Sequence, residues 1–450
     1  MNERQLLQGN LYTGLIRFAL PFMGASLLQF IYGAVDLLIV GRYCDPASIV
    51  GVSNGAQIMQ ILTLMVVGFT TGITVLVGQH LGAGRREEME RAFVTGASVF
   101  AGLAVLLFVL LLAGHDALIG IIQTPDEAVP HARRYLMICG LGAPFIVGYN
   151  VVCSALRAMG DSRTPMLYVG AACITNIVGD LVLVGPLNMG VTGAAIATVA
   201  AQALSFLLSL TALRRPSFPC SAHPPRPDRE TAAQVLRVGV PLGLQSLLTE
   251  LSFLLITVII NLIGLDQAAG VGIVERILAV GFMGASSFSA AISAMAAQNI
   301  GAGQPERARN AALFGMACSV GLGAVLYAVF LLFSPQLIGL FTTSEAVIRY
   351  GSQYMTIYAS DCILVGIVFC LNGFFNGCGR AGFTMFNGLF ATFLVRIPLS
   401  YLISILPGAT MLHMGIAAPA ASAVQILLQL IYLRSGRWRT STLVDRRADG

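Results

Sequence analysis

The sequence predicts an all-α polytopic membrane protein: twelve transmembrane helices in two six-helix bundles, related by a pseudo-twofold along the membrane normal. Three observations carry that expectation. Of the 450 residues, 56% are hydrophobic and only 10% are charged, against roughly 25% charged in a soluble domain. About twelve apolar runs approach the ~20 residues that cross a bilayer. The first half of the chain also recurs in the second at a spacing of 219 or 220 residues. A transmembrane β-barrel is excluded, because barrel strands are short and alternate apolar with polar residues, whereas these runs are long and continuous.

The expected spans are 14–40, 50–79, 93–114, 134–156, 165–186, 190–213, 238–264, 270–298, 309–333, 351–378, 384–405 and 413–434. Several are longer than spanning needs, so tilt or kinks are expected. Pro21, Pro144, Pro241, Pro398 and Pro419 lie inside them as kink candidates. The polar stretch Asn2 to Gln8 precedes a full-length apolar run with no small-residue cleavage site behind it, so the first helix is expected to stay.

The loops fix an orientation. The cations are all arginine. With the N-terminus inside, Arg4, Arg85, Arg86, Arg91, Arg157, Arg163, Arg214, Arg215, Arg226, Arg229, Arg307, Arg309, Arg380 and the arginines from Arg434 share one side. Arg42, Arg133, Arg134 and Arg349 are on the other. The positive-inside rule then puts both termini in the cytoplasm of a plasma membrane, the inner membrane in a bacterium. The arginines are spread over loops rather than gathered on one face, which argues against nucleic-acid binding. Pro216, Pro219, Pro224, Pro225 and Pro227 mark a polar linker. The expected division is an N-terminal bundle at 1–213, a linker at 214–237, a C-terminal bundle at 238–434 and a tail at 435–450.

The halves repeat. Gln79-His-Leu-Gly-Ala-Gly84 matches Gln298-Asn-Ile-Gly-Ala-Gly303, Tyr135-Leu-Met-Ile matches Tyr354-Met-Thr-Ile, and Gly51 matches Gly270, all at 219. Arg17 and Pro21 match Arg237 and Pro241 at 220. Six spans per half is an even number, so both halves enter the membrane in the same sense. That is the parallel-repeat geometry of a carrier with its substrate between two bundles.

Charges inside the spans are few. They are Asp36, Asp180, Glu250, Glu275 and Asp361, with Arg276 and Arg396 as the buried cations. An ionised Asp at mid-bilayer is unfavourable by about 3 kcal/mol or considerably more, so each of these must face protein, water or an ion. At 1.5 Å per residue, Asp36 and Asp180 both sit ~8–9 Å below the outer surface. Asn176 is one helical turn before Asp180. Ala194 and Thr198 fall at ~6 and ~12 Å in the next span. Two carboxylates, an amide oxygen and a hydroxyl at one depth are hard donors that suit Na⁺. Two close carboxylates also suit a shared proton. Separate hydrogen bonding of each carboxylate to its neighbours is the plainer alternative.

Glu250 and Asp361 have no acidic counterpart at the repeat spacing, nor do Asp36 and Asp180, which map forward to Ile256 and Ser400. The charged chemistry therefore differs between halves. A Glu250 pair with Arg276 or Arg396, and local neutralisation between Glu275 and Arg276, are the structural readings of these groups. The Gly-Ala-Gly turns lack G-K-[ST] and are read as helix-opening turns rather than phosphate loops. No ATP-binding module is visible. The nine cysteines form no C-x-x-C pair, and His80, His115, His131, His223 and His413 make no metal spacing. Met65, Met283, Met295, Phe282 and Phe288 are candidates to line an adaptable pocket, or plain core and lipid-facing residues.

The Val35-Asp36-Leu-Leu-Ile-Val-Gly41-Arg42 motif, the paired G-Q-x-x-G-A-G and A-Q-x-x-G-A-G turns and the two six-span halves resemble the multidrug and toxic compound extrusion (MATE) family over the whole chain. The resemblance implies two bundles around a V-shaped cavity, alternating access, and export of organic, often cationic compounds against Na⁺ or H⁺. It implies a cation site at Asp36, Asn176, Asp180 and Thr198 with a carbonyl from Ala194. Glu250 and Asp361 are similar to coupling carboxylates of other members. The reading is then a cation-coupled antiporter, not an enzyme. It has no cofactor beyond Na⁺ or H⁺, a small organic molecule as substrate, the lipid bilayer as its surroundings and a monomeric state. Pro21 and Gly33 are the candidate hinge of span 1. The alternative is a flippase for lipids or lipid-linked sugars of related fold, against which stands the shortage of cationic residues for a pyrophosphate headgroup. No nucleophile–base or metal constellation suggests an intramembrane enzyme, and duplicated but asymmetric halves suit a carrier better than a channel.

Overall fold

The computed structural model describes residues 7, 9–221, 224–440 and 443. Arg4, His223 and the tail beyond Thr440, Leu443 excepted, lie outside them. The first half holds α1 (Leu11–Tyr43), α2 (Pro46–Gly82), α3 (Arg86–Ala113), the short α4 (His115–Ile121), α5 (Val129–Ala158), α6 (Arg163–Leu183) and α7 (Gly190–Leu210). The second holds α8 (Arg229–Asn261), α9 (Leu265–Gly301), α10 (Pro305–Gly339), α11 (Glu345–Tyr358), α12 (Asp361–Gly377), α13 (Ala381–Ala391), a π turn at Thr392–Arg396, α14 (Ile397–Ile405), α15 (Met411–Met414) and α16 (Ala417–Arg434). Among the described residues, eleven helical stretches are long and apolar enough to cross a membrane; the bent pair α11–α12 makes a twelfth.

Local chemistry sets the helix starts. Asp45, Asp161 and Asp228 each accept a hydrogen bond from the N–H three residues on, at 3.3, 3.0 and 2.9 Å, and a second from the Ser48, Thr164 or Thr231 hydroxyl. Each thereby satisfies orphan donors at the mouth of α2, α6 or α8. The two Gly-Ala-Gly turns end α2 and α9 with Gly84 at φ +74° and Gly303 at φ +76°, a left-handed backbone that glycine adopts without a Cβ penalty.

Proline marks some of the breaks and not others: the π turn at Thr392–Arg396 lies just before Pro398, and Pro419 is in the first turn of α16. Pro21, Pro144 and Pro241 lie within unbroken α1, α5 and α8. The span expected at 351–378 is instead two helices meeting at 46° around Ala359–Ser360. In α10, Phe333 leaves helical geometry (φ −116°, ψ 16°) two residues before Pro335, since a proline ring disturbs the turn before it.

Packing divides the chain into two units. Leu20–Gly243 forms one; Leu244 onward, with the start of α1 through Ala19, forms the other. The residues expected as a linker pack with the first unit. Phe218 is buried edge-to-face on Phe93 at 5.0 Å, and Arg215 pairs with Asp161 at 2.8 Å. In the first unit α5 is central, against α2, α3 and α7; in the second, α12 packs on α9, α10 and α16.

The two cores superpose in sequence. One buried cluster contains Ile39, Val40, Val52, Tyr135, Cys139, Val191 and Ala194. The other contains Ile259, Ile260, Val271, Tyr354, Tyr358, Met411 and Met414, and each member lies 219 or 220 residues after its mate. The glycine pair repeats as well. A Cβ on Gly51 would meet Ala128 O and Ala132 N at 3.1 and 2.9 Å, and one on Gly270 would meet Val347 O and Gly351 N at 3.1 and 2.9 Å. Close helix approach through a small residue is how apolar helices gain packing where lipid removes the hydrophobic drive.

Candidate functional site

The first unit gathers the residues expected at one depth. On α1, Gln29, Tyr32 and Asp36 follow a three–four spacing and share a face. On α6, Asn176 and Asp180 are one turn apart; on α7, Thr198, Gln202 and Ser205 repeat the pattern. Asp36, Asn176 and Asp180 are 7%, 1% and 0% exposed. The Asn176 amide donates to the Thr198 hydroxyl at 3.5 Å, and the Asp36 and Asp180 carboxyl groups are close neighbours. Ala194 is fully buried in the adjoining apolar cluster.

The electrostatics of this group are unbalanced. Asp36 Oδ1, Asn176 Oδ1 and both Asp180 oxygens are buried with no hydrogen-bond donor, and no guanidinium pairs with either carboxylate among the described residues. Buried charge is tolerated only when paired or neutralised, and two ionised carboxylates do not share one site. A cation or a proton placed between Asp36 and Asp180 would balance this group, with the Asn176 oxygen as a further acceptor.

A small, partly open cavity adjoins this group. It is lined by Gln29, Tyr32 and Tyr149, by Asn176 and Thr198, and by Gln202 among others. None of Met65, Met283, Met295, Phe282 and Phe288 lines it, and Met295 is core. The lining is amide and phenol rather than thioether. Four of these polar residues escaped sequence reasoning, although Gln29 and Tyr32 sit seven and four residues before Asp36, and Gln202 four after Thr198.

The second-half charges are arranged differently. Asp361 is not in mid-helix as its span position implied. It is the first residue of α12, just past the bend, where the Cys362 and Ile363 N–H groups donate to the Ala359 and Ser360 carbonyls. Ser422 hydrogen-bonds to it. Arg396 closes the π turn, with its guanidinium 4.5 Å over the Phe253 ring and 3.3 Å from the Tyr358 hydroxyl. Its charge acts on Glu275 and Asp361. No ion pair joins half-buried Glu250 to Arg276 or Arg396 among the described residues, and Arg276 is exposed, so neither local pairing read from the sequence forms. Pro21 and Gly33 both lie in continuous α1, and a Cβ on Gly33 would meet open space.

Family comparison agrees with this duplicated frame. The MatE family model matches residues 21–182 and again 241–402, two segments displaced by the 220 residues of the internal repeat. The chain belongs to the MATE family. It is a multi-pass membrane transporter. Among its relatives are the probable multidrug resistance protein YpnP of Bacillus subtilis, 26% identical over 98% of this chain and 99% of that one, and the probable multidrug resistance protein NorM of Thermotoga maritima, 26% identical over 96% and 94%. A solved MATE transporter in an outward-facing conformation matches at TM-score 0.90 and 22% identity, over 97% of this chain and 98% of that one. At that identity the likeness to this MATE structure is one of fold.

Proposed function

We propose that this transporter exports organic, chiefly cationic drugs and toxic compounds by antiport, and that Na⁺ or H⁺ bound between Asp36 and Asp180 drives it. One observation carries the reading. Two neighbouring carboxyl groups lie buried beside a polar cavity, and no cationic side chain among the described residues pairs with them. Such a pair has one charge too many until a cation or proton arrives, so occupancy is coupled to local geometry. The family membership and the multidrug names of the relatives support the export of drugs.

The mechanism follows from competition. In the outward-facing state the cation draws Asp36 of α1 toward Asp180 of α6. Bending of α1 at Pro21 or Gly33 narrows the cavity lined by Gln29, Tyr32 and Gln202, and the substrate leaves. The membrane potential contributes about 2.3 kcal/mol per charge per 100 mV, with the concentration gradient in addition. Both termini face the cytoplasm of the plasma membrane in this reading, because the arginine-rich loops lie on their side.

The test is dye efflux from proteoliposomes under separately imposed Na⁺ and H⁺ gradients. One gradient is expected to drive efflux in the wild type and to fail in Asp36→Asn. Wild-type efflux in Asp36→Asn, or efflux indifferent to both gradients, overturns the reading.

A further inference from the structure

The duplicated fold supplies its own control for the ion pocket, since every first-half position has a mate. The spacing is 220 in α1 and α8, and 219 from α2 and α9 to the middle of α13. Pro165, Tyr168 and Val169 are buried on α6, and Thr384, Asn387 and Gly388 are buried on α13. The π turn at Thr392–Arg396 then inserts one residue. Beyond it the spacing is 220, so that buried Asp180 corresponds to buried Ser400. Across that insertion Asn176 corresponds to Arg396 and Thr198 to Ala418, and at the 220 spacing of the first helices Asp36 corresponds to Ile256. The mates of Tyr135 and Cys139 are Tyr354 and Tyr358, all four buried.

The second pocket has therefore lost both carboxylates and the hydroxyl of the first, and it has gained a guanidinium where the first has its amide. That guanidinium is held on two sides, by the Phe253 ring at 4.5 Å and the Tyr358 hydroxyl at 3.3 Å. A delocalised cation that stacks on an aromatic ring while donating from its edge to an oxygen is what arginine provides and lysine does not. Carboxylates are still near it, but they come from other helices: Glu275 on α9 and Asp361 at the head of α12. Buried Glu275 Oε1 and Asp361 Oδ1 have no hydrogen-bond donor among the described residues.

We propose that Arg396 is a tethered cation filling the second bundle's counterpart of the ion pocket, where it compensates Glu275 and Asp361 and closes that pocket to exchangeable ions. This inference rests on reading the first pocket as an ion site. It makes the transporter a carrier with one exchangeable-cation site, at Asp36 and Asp180, and turns the second-half carboxylates into counter-ions of a resident charge.

Chemical rescue tests it without any transport assay. Purified Arg396→Ala in detergent is expected to melt below wild type. Millimolar guanidinium chloride is expected to raise that melting temperature, whereas tetramethylammonium chloride at equal ionic strength does not. Wild type is expected to be indifferent to both salts. A melting temperature for Arg396→Ala equal to wild type, or one that guanidinium leaves unmoved, overturns the proposal. If Arg396→Ala does not yield folded protein, the pair Arg396→Gln and Arg396→Gln with Glu275→Gln decides. Removal of one uncompensated carboxylate is expected to recover part of the lost melting temperature, and no recovery overturns it. Because these readouts are melting temperatures, they stand whatever Asp36→Asn does to efflux, so failure here and failure of the first-pocket reading are told apart.

Discussion

Ile39, Val40, Val52 and Tyr135 in the first unit, and Ile259, Ile260, Val271 and Tyr354 in the second, form matching walls. Inside those walls the first unit holds Asp36, Asn176, Asp180 and Thr198, while the second holds Ile256, Arg396, Ser400 and Ala418. The ends of the bundles diverge in the same manner. Asp161 holds the segment after α7 by accepting from Arg215, and Phe218 plugs against Phe93. At the mate of Asp161 stands Arg380, of opposite charge. It donates to the carbonyls of Arg437 and Thr440, while Trp438 plugs against Phe374 at 5.0 Å. The task is the same and the charge is reversed. Frame positions are constrained by many neighbours at once, so duplication preserves them. A polar position answers to one or two partners and changes when they change together.

The largest expected effect breaks the asymmetry of the pockets. Asp36→Asn and Asp180→Asn are each expected to reduce drug efflux from vesicles to background while membrane insertion, followed by fractionation, is unchanged. Their mates give the contrast: Ile256→Val and Ser400→Ala should leave efflux within about twofold, since neither removes a charge.

The aromatic plugs come next. Phe218→Ala and Trp438→Ala each delete a large buried ring, and truncations of that kind cost about 3–5 kcal/mol. Thermal unfolding in detergent checks both. Trp438 is the chain's single tryptophan, so its emission alone reports the seating of the tail. In Arg380→Ala a red shift is expected as the Arg437 and Thr440 carbonyls lose their donor.

Symmetry of the frame is tested at smaller amplitude by Gly51→Ala and Gly270→Ala. The added methyl would lie 2.5 Å from His131 Cβ in one and 2.9 Å from Gly351 N in the other. Each is expected to destabilise by roughly 1–3 kcal/mol through overpacking. A large cost in one half and none in the other would break the equivalence of the two cores.

The smallest effect concerns the start of α8. The Thr231 hydroxyl and N–H hold the Asp228 carboxyl below the usual carboxylate range. A carboxyl depressed in the folded state stabilises at pH above its unfolded value of about 3.9. That contribution fades as pH falls through the folded value. Asp228→Ala is expected to cost about 1 kcal/mol near neutral pH and progressively less under acid, measured as the pH dependence of the melting temperature against wild type.

The pocket was partly legible because a carboxylate in an apolar run is conspicuous. Asp36 and Asp180 stood out for that reason, and Asn176 and Thr198 followed from helical spacing and depth. Gln29, Tyr32, Tyr149 and Gln202 did not, because an amide or a phenol in a membrane helix carries too small a penalty to demand an explanation. The break at Ala359–Ser360 has neither proline nor glycine to announce it, whereas the π turn lies just before Pro398, a kink candidate in the sequence, and where the spacing of the repeat slips from 219 to 220.

Sequence alone determined the spans, the duplication and the short roster of intramembrane charges. A bilayer core imposes length and apolarity on every crossing segment and penalises each charge individually, so these features are written residue by residue. Tertiary structure alone decided what each charge faces: Asp36 the Asp180 carboxyl, Arg396 the Phe253 ring and the Tyr358 hydroxyl, and Glu250 no ion-pair partner among the described residues. Those pairings depend on which helix faces are adjacent and on a single inserted residue that turns Arg396 toward Tyr358, and the distance between two side chains on different helices is set by packing.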